Sequence, residues 1–116
     1  MLRPNGFVVI TCPDIQSVCA EVSKGNLLGA LYQSDAGPIS AIDILYGHRD
    51  FIASGNTYMA HKTAFTFPVL SDLFFKAGFK NVYGGATPEI YAIWLVATKS
   101  KISNEELTKL GNEFLP

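Results

Sequence analysis

The sequence predicts an α/β domain in which a three-stranded mixed sheet carries helices on its faces. The run Phe7-Val8-Val9-Ile10 is continuously apolar, which is typical of a strand buried on both faces. Residues 90–98 form a longer apolar run, rich in β-branched and aromatic side chains, which is typical of a central strand. Between these runs, apolar residues recur at helical spacing. Since the chain has 116 residues, we expect residues 1–116 to form a single domain.

Composition narrows the class of protein. Hydrophobic residues make up 48% of the chain, which favours a packed core over disorder. The net charge is −1 and the basic residues form no stripe, so the pattern of a nucleic-acid-binding protein is missing. Two cysteines, Cys12 and Cys19, are too few for a disulfide framework. The N-terminus shows no signal peptide, and no apolar run reaches the roughly 18 residues of a membrane span. We therefore expect a cytoplasmic protein without membrane contact.

The first part of the chain predicts a strand followed by two helices. The strand covers residues 6–11, and Asp14 is placed to cap the helix that follows. Residues 27–32 are apolar enough to predict another short helix, which the turn-forming stretch 34–38 ends. The apolar face of the first helix is formed by Ile15, Val18, Cys19 and Val22.

A capping box marks the next helix. Ser40 and Asp43 have the required spacing, which predicts a helix over residues 40–46 that ends at Gly47. Residues 48–64 form a polar stretch without strong periodicity. Such a stretch predicts a long functional loop or a small cap.

A further helix is predicted to begin after Thr66 and to end at Gly78. Asp72 and Lys76 are four residues apart, so we expect them to form an exposed ion pair on this helix. Its buried face is predicted to contain Phe67, Leu70, Leu73, Phe74 and Ala77.

The last part of the chain predicts a hairpin and a helix. Strands over residues 79–83 and 90–98 flank a turn over residues 84–89, which contains Gly84-Gly85. A capping box of Ser103 and Glu106 begins the final helix. We expect the strand order first–third–second, with the first and third strands running parallel.

Two turn motifs introduce these strands: Leu2-Arg3-Pro4-Asn5-Gly6 precedes the first, and Ala77-Gly78-Phe79 opens the second. In this order they resemble the C-terminal half of a class I S-adenosylmethionine-dependent methyltransferase, which has a Rossmann-like fold. In that family a Leu-x-Pro-Gly-Gly turn introduces the fifth strand and an Ala-Gly-Phe opens the sixth. The seventh strand returns antiparallel and lies between them. The resemblance covers residues 2–99, and residues 13–18 and 59–66 are also similar to a small bacterial branch of these proteins.

The resemblance implies a methyltransferase scaffold, but the family's cofactor-binding segments have no counterpart in this sequence. Such binding needs a Gly-rich loop that leads from a strand into a helix, whereas Gly84-Gly85 is predicted to lie in a hairpin. We therefore expect the chain alone to bind no S-adenosylmethionine, although the resemblance implies that cofactor. It would correspond to the substrate-side half of the enzyme, inactive without the cofactor-binding N-terminal half.

Several polar residues are candidates for that substrate side. Ligands of open α/β sheets bind beyond the carboxyl ends of strands, where Asp14 is either a substrate ligand or simply a cap. His48 and Arg49 follow a helix C-terminus, where the dipole favours positive charge, but as a pair they can also grip a polar substrate group. His61 is a candidate catalytic base in methyl transfer, or else the partner of a loop carbonyl. Lys62 adjoins it as a substrate-binding candidate.

Tyr32 and Tyr58 are candidates for lining an apolar substrate pocket, although aromatic residues lie more often in the core. The two histidines and two cysteines lack the paired spacing of zinc ligands, so no metal site is predicted.

The first strand also suggests a partner. Only five residues precede its approach, so one side of an apolar strand is expected to lack a neighbour, and such an edge promotes association. We expect a homodimer through residues 7–11, or pairing with the missing N-terminal half. The alternative to a methyltransferase half is a stand-alone, non-catalytic domain that dimerises or binds a small ligand, including an unrelated α+β domain with its pocket at residues 48–64.

Overall fold

Two antiparallel sheets and five α-helices organise residues 2–116, which are the residues described by the computed structural model. The strands are β1 (Phe7–Pro13), β2 (Ala30–Ser34), β3 (Gly37–Ser40), β4 (Asn81–Thr87) and β5 (Ala92–Thr98). The helices are α1 (Ile15–Ser23), α2 (Ala41–Tyr46), α3 (Arg49–Ala53), α4 (Phe67–Lys76) and α5 (Asn104–Phe114). Short 3₁₀ turns cover Thr57–Met59 and Pro88–Ile90. The α/β class is therefore confirmed.

The three-stranded sheet has the order β1-β5-β4, which confirms the predicted first–third–second arrangement. Both pairings of β5 are antiparallel, so the prediction of a mixed sheet with parallel β1 and β5 is wrong. The short reversal at residues 88–91 makes β5 antiparallel to β4, as the predicted hairpin requires. β5 is antiparallel to β1 as well because the chain between β1 and β4 crosses over and leaves these two strands running in the same direction.

β1 is an edge strand within the described chain, since it pairs only with β5. Its residues Val8, Val9 and Ile10 are therefore half-buried rather than buried on both faces as predicted. The ladder is flanked by hydrogen bonds from the Lys99 N–H to the Gly6 carbonyl and from the Asp14 N–H to the Tyr91 carbonyl. The backbone groups of the even-numbered residues of β1 thus form hydrogen bonds with β5, whereas those of the odd-numbered residues point away from β5.

The helix predicted over residues 27–32 is wrong, because this segment enters the hairpin of β2 and β3. Ser34 pairs with Gly37 across a two-residue turn, and Gly37 has φ of 106°, a conformation that glycine adopts without strain. The apolar run is too short for its periodicity to distinguish a helix from a strand. The tight turn that follows it favours a β-hairpin.

The helix signals are confirmed. The Asp14 carboxylate caps α1 by accepting hydrogen bonds from the backbone N–H groups of Gln16 and Ser17 at 3.2 and 3.3 Å. Capping boxes are present at Ser40 and Ser103. The predicted ion pair on α4 joins Lys76 Nζ to an Asp72 carboxylate oxygen at 2.6 Å.

Two clusters of buried side chains hold these elements together. One lies between the three-stranded sheet and α4 and contains Leu70, Ile93, Leu95 and Ala97. The other lies between α1, the β2–β3 hairpin and α2 and contains Val18, Ile39, Ala41 and Ile44. The opposite face of the larger sheet is covered by α5, where the Phe7 and Phe114 rings lie 5.2 Å apart.

The predicted buried face of α4 is only partly correct. Leu70 is buried and Phe67 and Phe74 are half-buried, but Leu73 is 45% exposed and Ala77 is exposed. A sheet of three strands is too narrow to cover the whole apolar surface of this helix. Within residues 2–116, no helix combines the length and apolar character needed to cross a membrane.

Gly84 and Gly85 lie inside β4 and not in the predicted turn, which instead covers residues 88–91. At Gly84 the φ angle is 148°, and a Cβ atom would overlap the backbone carbonyl oxygen of Trp94 on β5. Gly85 has no such constraint, because no atom lies within 4 Å of the position of its Cβ. Close approach of the two strands therefore requires glycine at one of these positions only.

We expect Gly84→Ala to lower the free energy of unfolding by more than about 2 kcal/mol, because the backbones of β4 and β5 must separate. The matched control Gly85→Ala should cost less than about 1 kcal/mol. Urea unfolding followed by circular dichroism measures both values. Equal effects of the two substitutions would contradict the close approach at Gly84.

Candidate functional site

A cavity of about 180 Å³ lies at the carboxyl end of β1, and we call it the two-histidine cavity. Its walls come from the end of β1, the β2–β3 hairpin, α2 and residues 59–61. Its apolar lining consists of Pro13, Ile39, Ile44 and Met59. Its polar and aromatic lining consists of Tyr32, Asp43, His48, His61 and Tyr91. The structure thus brings together three of the predicted site residues, Tyr32, His48 and His61.

His61 is held by two hydrogen bonds to α2. Its backbone N–H donates to the Tyr46 carbonyl at 3.0 Å, and its ring Nδ1 lies 2.7 Å from the Ile44 carbonyl oxygen. Because a carbonyl only accepts, the neutral ring must carry its proton on Nδ1. The other nitrogen, Nε2, then has a free lone pair. Both alternatives foreseen for His61 are therefore compatible, since the carbonyl contact orients a ring whose other nitrogen is basic.

His48 occupies the position before α3 and packs against Phe51, with ring centroids 4.6 Å apart. Its Nδ1 is enclosed and makes no hydrogen bond within residues 2–116. A ligand in the cavity can therefore meet this ring only through Nε2. The Nε2 atom can donate or accept a hydrogen bond, depending on which ring nitrogen carries the proton.

Gly47 sets the distance between the segments that carry the two histidines. Its φ angle is 103°, and a Cβ atom at this position would overlap the Met59 carbonyl oxygen. Only glycine allows residues 59–61 to pack directly on the end of α2. This contact brings His61 to the same cavity as His48.

Tyr91 completes the wall opposite α2. It is the one residue other than glycine with a positive φ angle in the described part of the chain, at 55°. Such backbone conformations cost about 1–3 kcal/mol and cluster at functional sites. Here the conformation ends the reversal between β4 and β5 and places the Tyr91 ring 6.4 Å from that of Tyr32, with an angle of 20° between the planes.

Asp43 lies beneath the cavity and forms an ion pair with Arg49 on α3. Arg49 Nε donates to the Asp43 carboxylate at 2.8 Å, and Ser40 donates through its hydroxyl at 2.6 Å and its N–H at 3.1 Å. Burial by itself would raise the pKa of Asp43, but these hydrogen bonds outweigh burial and hold the pKa well below its ordinary value. The carboxylate is therefore ionised and fully engaged.

The charges around the cavity are thus balanced. Arg49, predicted to grip a substrate, is committed to Asp43 and does not line the cavity. Burial, followed by the nearby Asp43 carboxylate, raises the pKa of the Tyr32 hydroxyl above its ordinary value, so this group stays protonated.

The remaining predicted residues lie elsewhere. Asp14 is 3% exposed and is used as the cap of α1. Lys62 lines a neighbouring groove of about 280 Å³, which shares His61 with the cavity. Tyr58 is 99% exposed and lines no part of the cavity. Sequence reasoning missed Tyr91, since no local signal marks a positive φ angle at a tyrosine, and it assigned Asp43 to the capping box alone.

A larger groove of about 410 Å³ lies between β4 and the end of α5. Its lining includes Tyr83, Trp94 and Asn112 but no histidine, carboxylate or basic residue. The two-histidine cavity is therefore the better candidate despite its smaller volume, because it combines two histidines with an apolar lining.

The turn from β1 into α1 does not offer the kind of site that a Gly-rich loop gives to S-adenosylmethionine. The turn from β1 into α1 contains Pro13 and Asp14 and no glycine-rich loop, and the Asp14 carboxylate already occupies the N–H groups at the start of α1. An anionic or polar cofactor group cannot bind there without displacing it. In residues 2–116 no three His, Cys, Asp or Glu side chains lie close enough together to hold a metal ion.

Comparison with known proteins adds no relative. No protein-family model matches the chain, and no curated protein or solved structure matches it at a significant level of similarity.

We expect Asp43→Asn to lower the free energy of unfolding by about 1–3 kcal/mol at neutral pH, because the charge-assisted bonds to Arg49 are lost. The folded-state pKa of Asp43 lies below the unfolded value of about 3.9, so this contribution is present above about pH 4 and is lost as the pH falls. The variant should therefore lose less stability than the wild type between about pH 5 and pH 2. Urea unfolding across this range measures the difference.

Asp72→Asn is the matched control, since its ion pair with Lys76 is exposed on both sides. We expect it to change stability by less than about 0.5 kcal/mol at neutral pH. A similar loss in both variants would contradict a special role for the buried carboxylate.

Proposed function

We propose that this chain acts as the substrate-side half of a methyltransferase-like enzyme, with the two-histidine cavity as the site of the methyl acceptor. The observation that carries the proposal is the strand order β1-β5-β4, in which an antiparallel last strand lies between two others. The resemblance implies this order for the fifth, seventh and sixth strands. This antiparallel arrangement differs from the parallel pairing of β1 and β5 that the apolar patterns alone predicted.

The two turn motifs of the resemblance support the same proposal. In the first, the Gly6 N–H donates to the Arg3 carbonyl at 2.9 Å and leads directly into β1. In the second, Gly78 has φ of 97° and ends α4 before β4 begins. Each motif thus performs the structural task that the resemblance assigns to it.

The position of the cavity supports a ligand site. Ligands of open α/β sheets bind beyond the carboxyl ends of the strands, and this cavity lies beyond the carboxyl end of β1 at Pro13. His61 supplies a nitrogen that can hold a proton released by a ligand. S-adenosylmethionine would be held by residues other than those described, and it would supply the methyl group.

The proposal is tested by two titrations of the 116-residue chain. We expect no saturable heat with millimolar S-adenosylmethionine or S-adenosylhomocysteine. In amide NMR spectra, a set of small phenols, carboxylates, amines and sugars should shift signals near Gly47, His61 and Tyr91. Signals of Gly85 and Gly111 beside the larger groove provide the control. Saturable cofactor binding, or shifts confined to the larger groove, would contradict the proposal.

A second candidate function, a homodimeric domain, is favoured by the free edge of β1. The outward backbone groups belong to Phe7, Val9 and Thr11. Two copies related by a two-fold axis at Val9 place Val9 against Val9 and Phe7 against Thr11. Each pair then exchanges two backbone hydrogen bonds, so the edge is self-complementary. For this second candidate function, we propose that a second copy of this chain pairs with the free edge of β1.

We expect Thr11→Pro to convert such a dimer into a monomer, because proline removes an outward N–H without breaking the ladder to β5. Thr11→Val keeps the N–H and should remain dimeric. Light scattering after size exclusion, with circular dichroism to check folding, measures both. A wild-type monomer at tens of micromolar would refute the dimer and leave the edge for the half that binds the cofactor.

A further inference from the structure

The ligand class of the two-histidine cavity follows from its size, shape and charge, and this inference rests on the proposed function. The volume is about 180 Å³. Apolar cavities of about 150 Å³ hold one benzene-sized ring. A single six-membered ring with small substituents therefore fills the cavity, which is open to solvent beside Tyr32, a residue that is 42% exposed.

The aromatic lining of the cavity favours a flat ring. The Tyr32 and Tyr91 rings both line the cavity, and Ile39, the cross-strand partner of Tyr32, adds apolar surface together with Ile44. A planar ring can stack on a tyrosine face, whereas a saturated ring makes poorer contact with it. The strained Tyr91 backbone fixes this surface before any ligand arrives.

The charges favour a neutral ligand. The Asp43 carboxylate accepts bonds from Ser40 and Arg49 and has no capacity left for a cation. No lysine or arginine lines the cavity, so a carboxylate or phosphate finds no charged partner. An ion would lose hydration at the apolar lining without gaining a lysine or arginine partner, which favours a neutral ligand.

The two histidines favour a hydroxyl group. His61 Nε2 accepts a hydrogen bond, because its Nδ1–H is held by the Ile44 carbonyl. His48 presents only its Nε2 to a ligand, because its Nδ1 is enclosed. A hydroxyl both donates and accepts, so it can donate to His61 Nε2 and accept from His48 Nε2 when that nitrogen carries the proton.

We propose that the two-histidine cavity binds a neutral, single-ring aromatic alcohol of the phenol type, whose hydroxyl donates to His61 Nε2 and accepts from His48 Nε2. His61 is therefore a catalytic residue of the proposed enzyme, since it touches the reacting oxygen. Tyr91 is a positioning residue that supplies the stacking surface.

The test compares phenol with three single-ring probes, each of which changes at least one of its properties. Phenol has the ring and the donor, anisole lacks the donor, cyclohexanol lacks the flat ring, and benzoate carries a charge. We expect phenol to bind about tenfold more tightly than anisole, the effect of one hydrogen bond to the cavity. Cyclohexanol and benzoate should bind more weakly than phenol. Amide NMR titration of the 116-residue chain measures the dissociation constants.

His61→Asn separates the two roles of this ring. The Asn amide can still donate to the Ile44 carbonyl, but it removes the acceptor at Nε2. The variant should lose the tenfold preference for phenol while its affinity for anisole stays unchanged. Tyr58→Phe is the matched control, since Tyr58 is 99% exposed and lines no part of the cavity.

The outcomes distinguish the two proposals. If benzoate or cyclohexanol binds in the cavity more tightly than phenol, the ligand class is wrong while the cavity remains the site. The proposed ligand class is also wrong if His61→Asn weakens the binding of phenol and of anisole equally. If none of the four probes shifts the signals around the cavity, the proposed acceptor site itself is refuted.

Discussion

The reversal at Tyr91 is the constraint on which the rest of the structure depends. A positive φ angle of 55° at this residue turns the chain directly from the end of β4 into β5. β5 therefore pairs antiparallel with β4, and its buried residues Ile93 and Leu95 form the centre of one core. The Tyr91 carbonyl accepts the Asp14 N–H at 2.9 Å, which ties the end of β1 to the same point.

The same reversal links the sheet to the candidate site. Asp14 caps α1, and the Ile15 N–H donates to the Phe65 carbonyl at 3.0 Å. The end of β1 is thereby joined to α1 and to the segment that precedes α4. The Tyr91 ring reaches the second core and stacks on Tyr32. The cavity lies where these connections meet, so its walls belong to elements that are each held by backbone bonds.

The ion pair of Asp43 and Arg49 has a structural task at the site. It joins α2 to α3, and His48 lies in the short connection between the two helices. Because the carboxylate is satisfied within the protein, it holds this connection without offering a charge to the cavity. No uncompensated charge therefore lies beside the histidines, and this suits the proposed neutral hydroxyl ligand better than an ion.

The sequence by itself determined the local features of this protein. Caps and capping boxes at Asp14, Ser40 and Ser103 depend on residues at most three positions apart, so they were read correctly. The strand order was also anticipated, because a short connection keeps successive strands adjacent. His48 and His61 were recognised as chemically active residue types, although their sequence positions did not show that they share a cavity.

Only the tertiary structure decided the direction of the pairing, the hairpin at residues 30–40 and the composition of the site. The antiparallel pairing of β1 with β5 follows from the crossover between β1 and β4, which leaves these two strands running in the same direction, and no local pattern records that path. The run at residues 27–32 is too short for its period to separate helix from strand. The sequence analysis predicted that Arg49 grips a substrate group, but in the structure its Nε lies 2.8 Å from the Asp43 carboxylate. Contacts between residues far apart in the chain depend on the packing of whole elements, and local patterns do not record them.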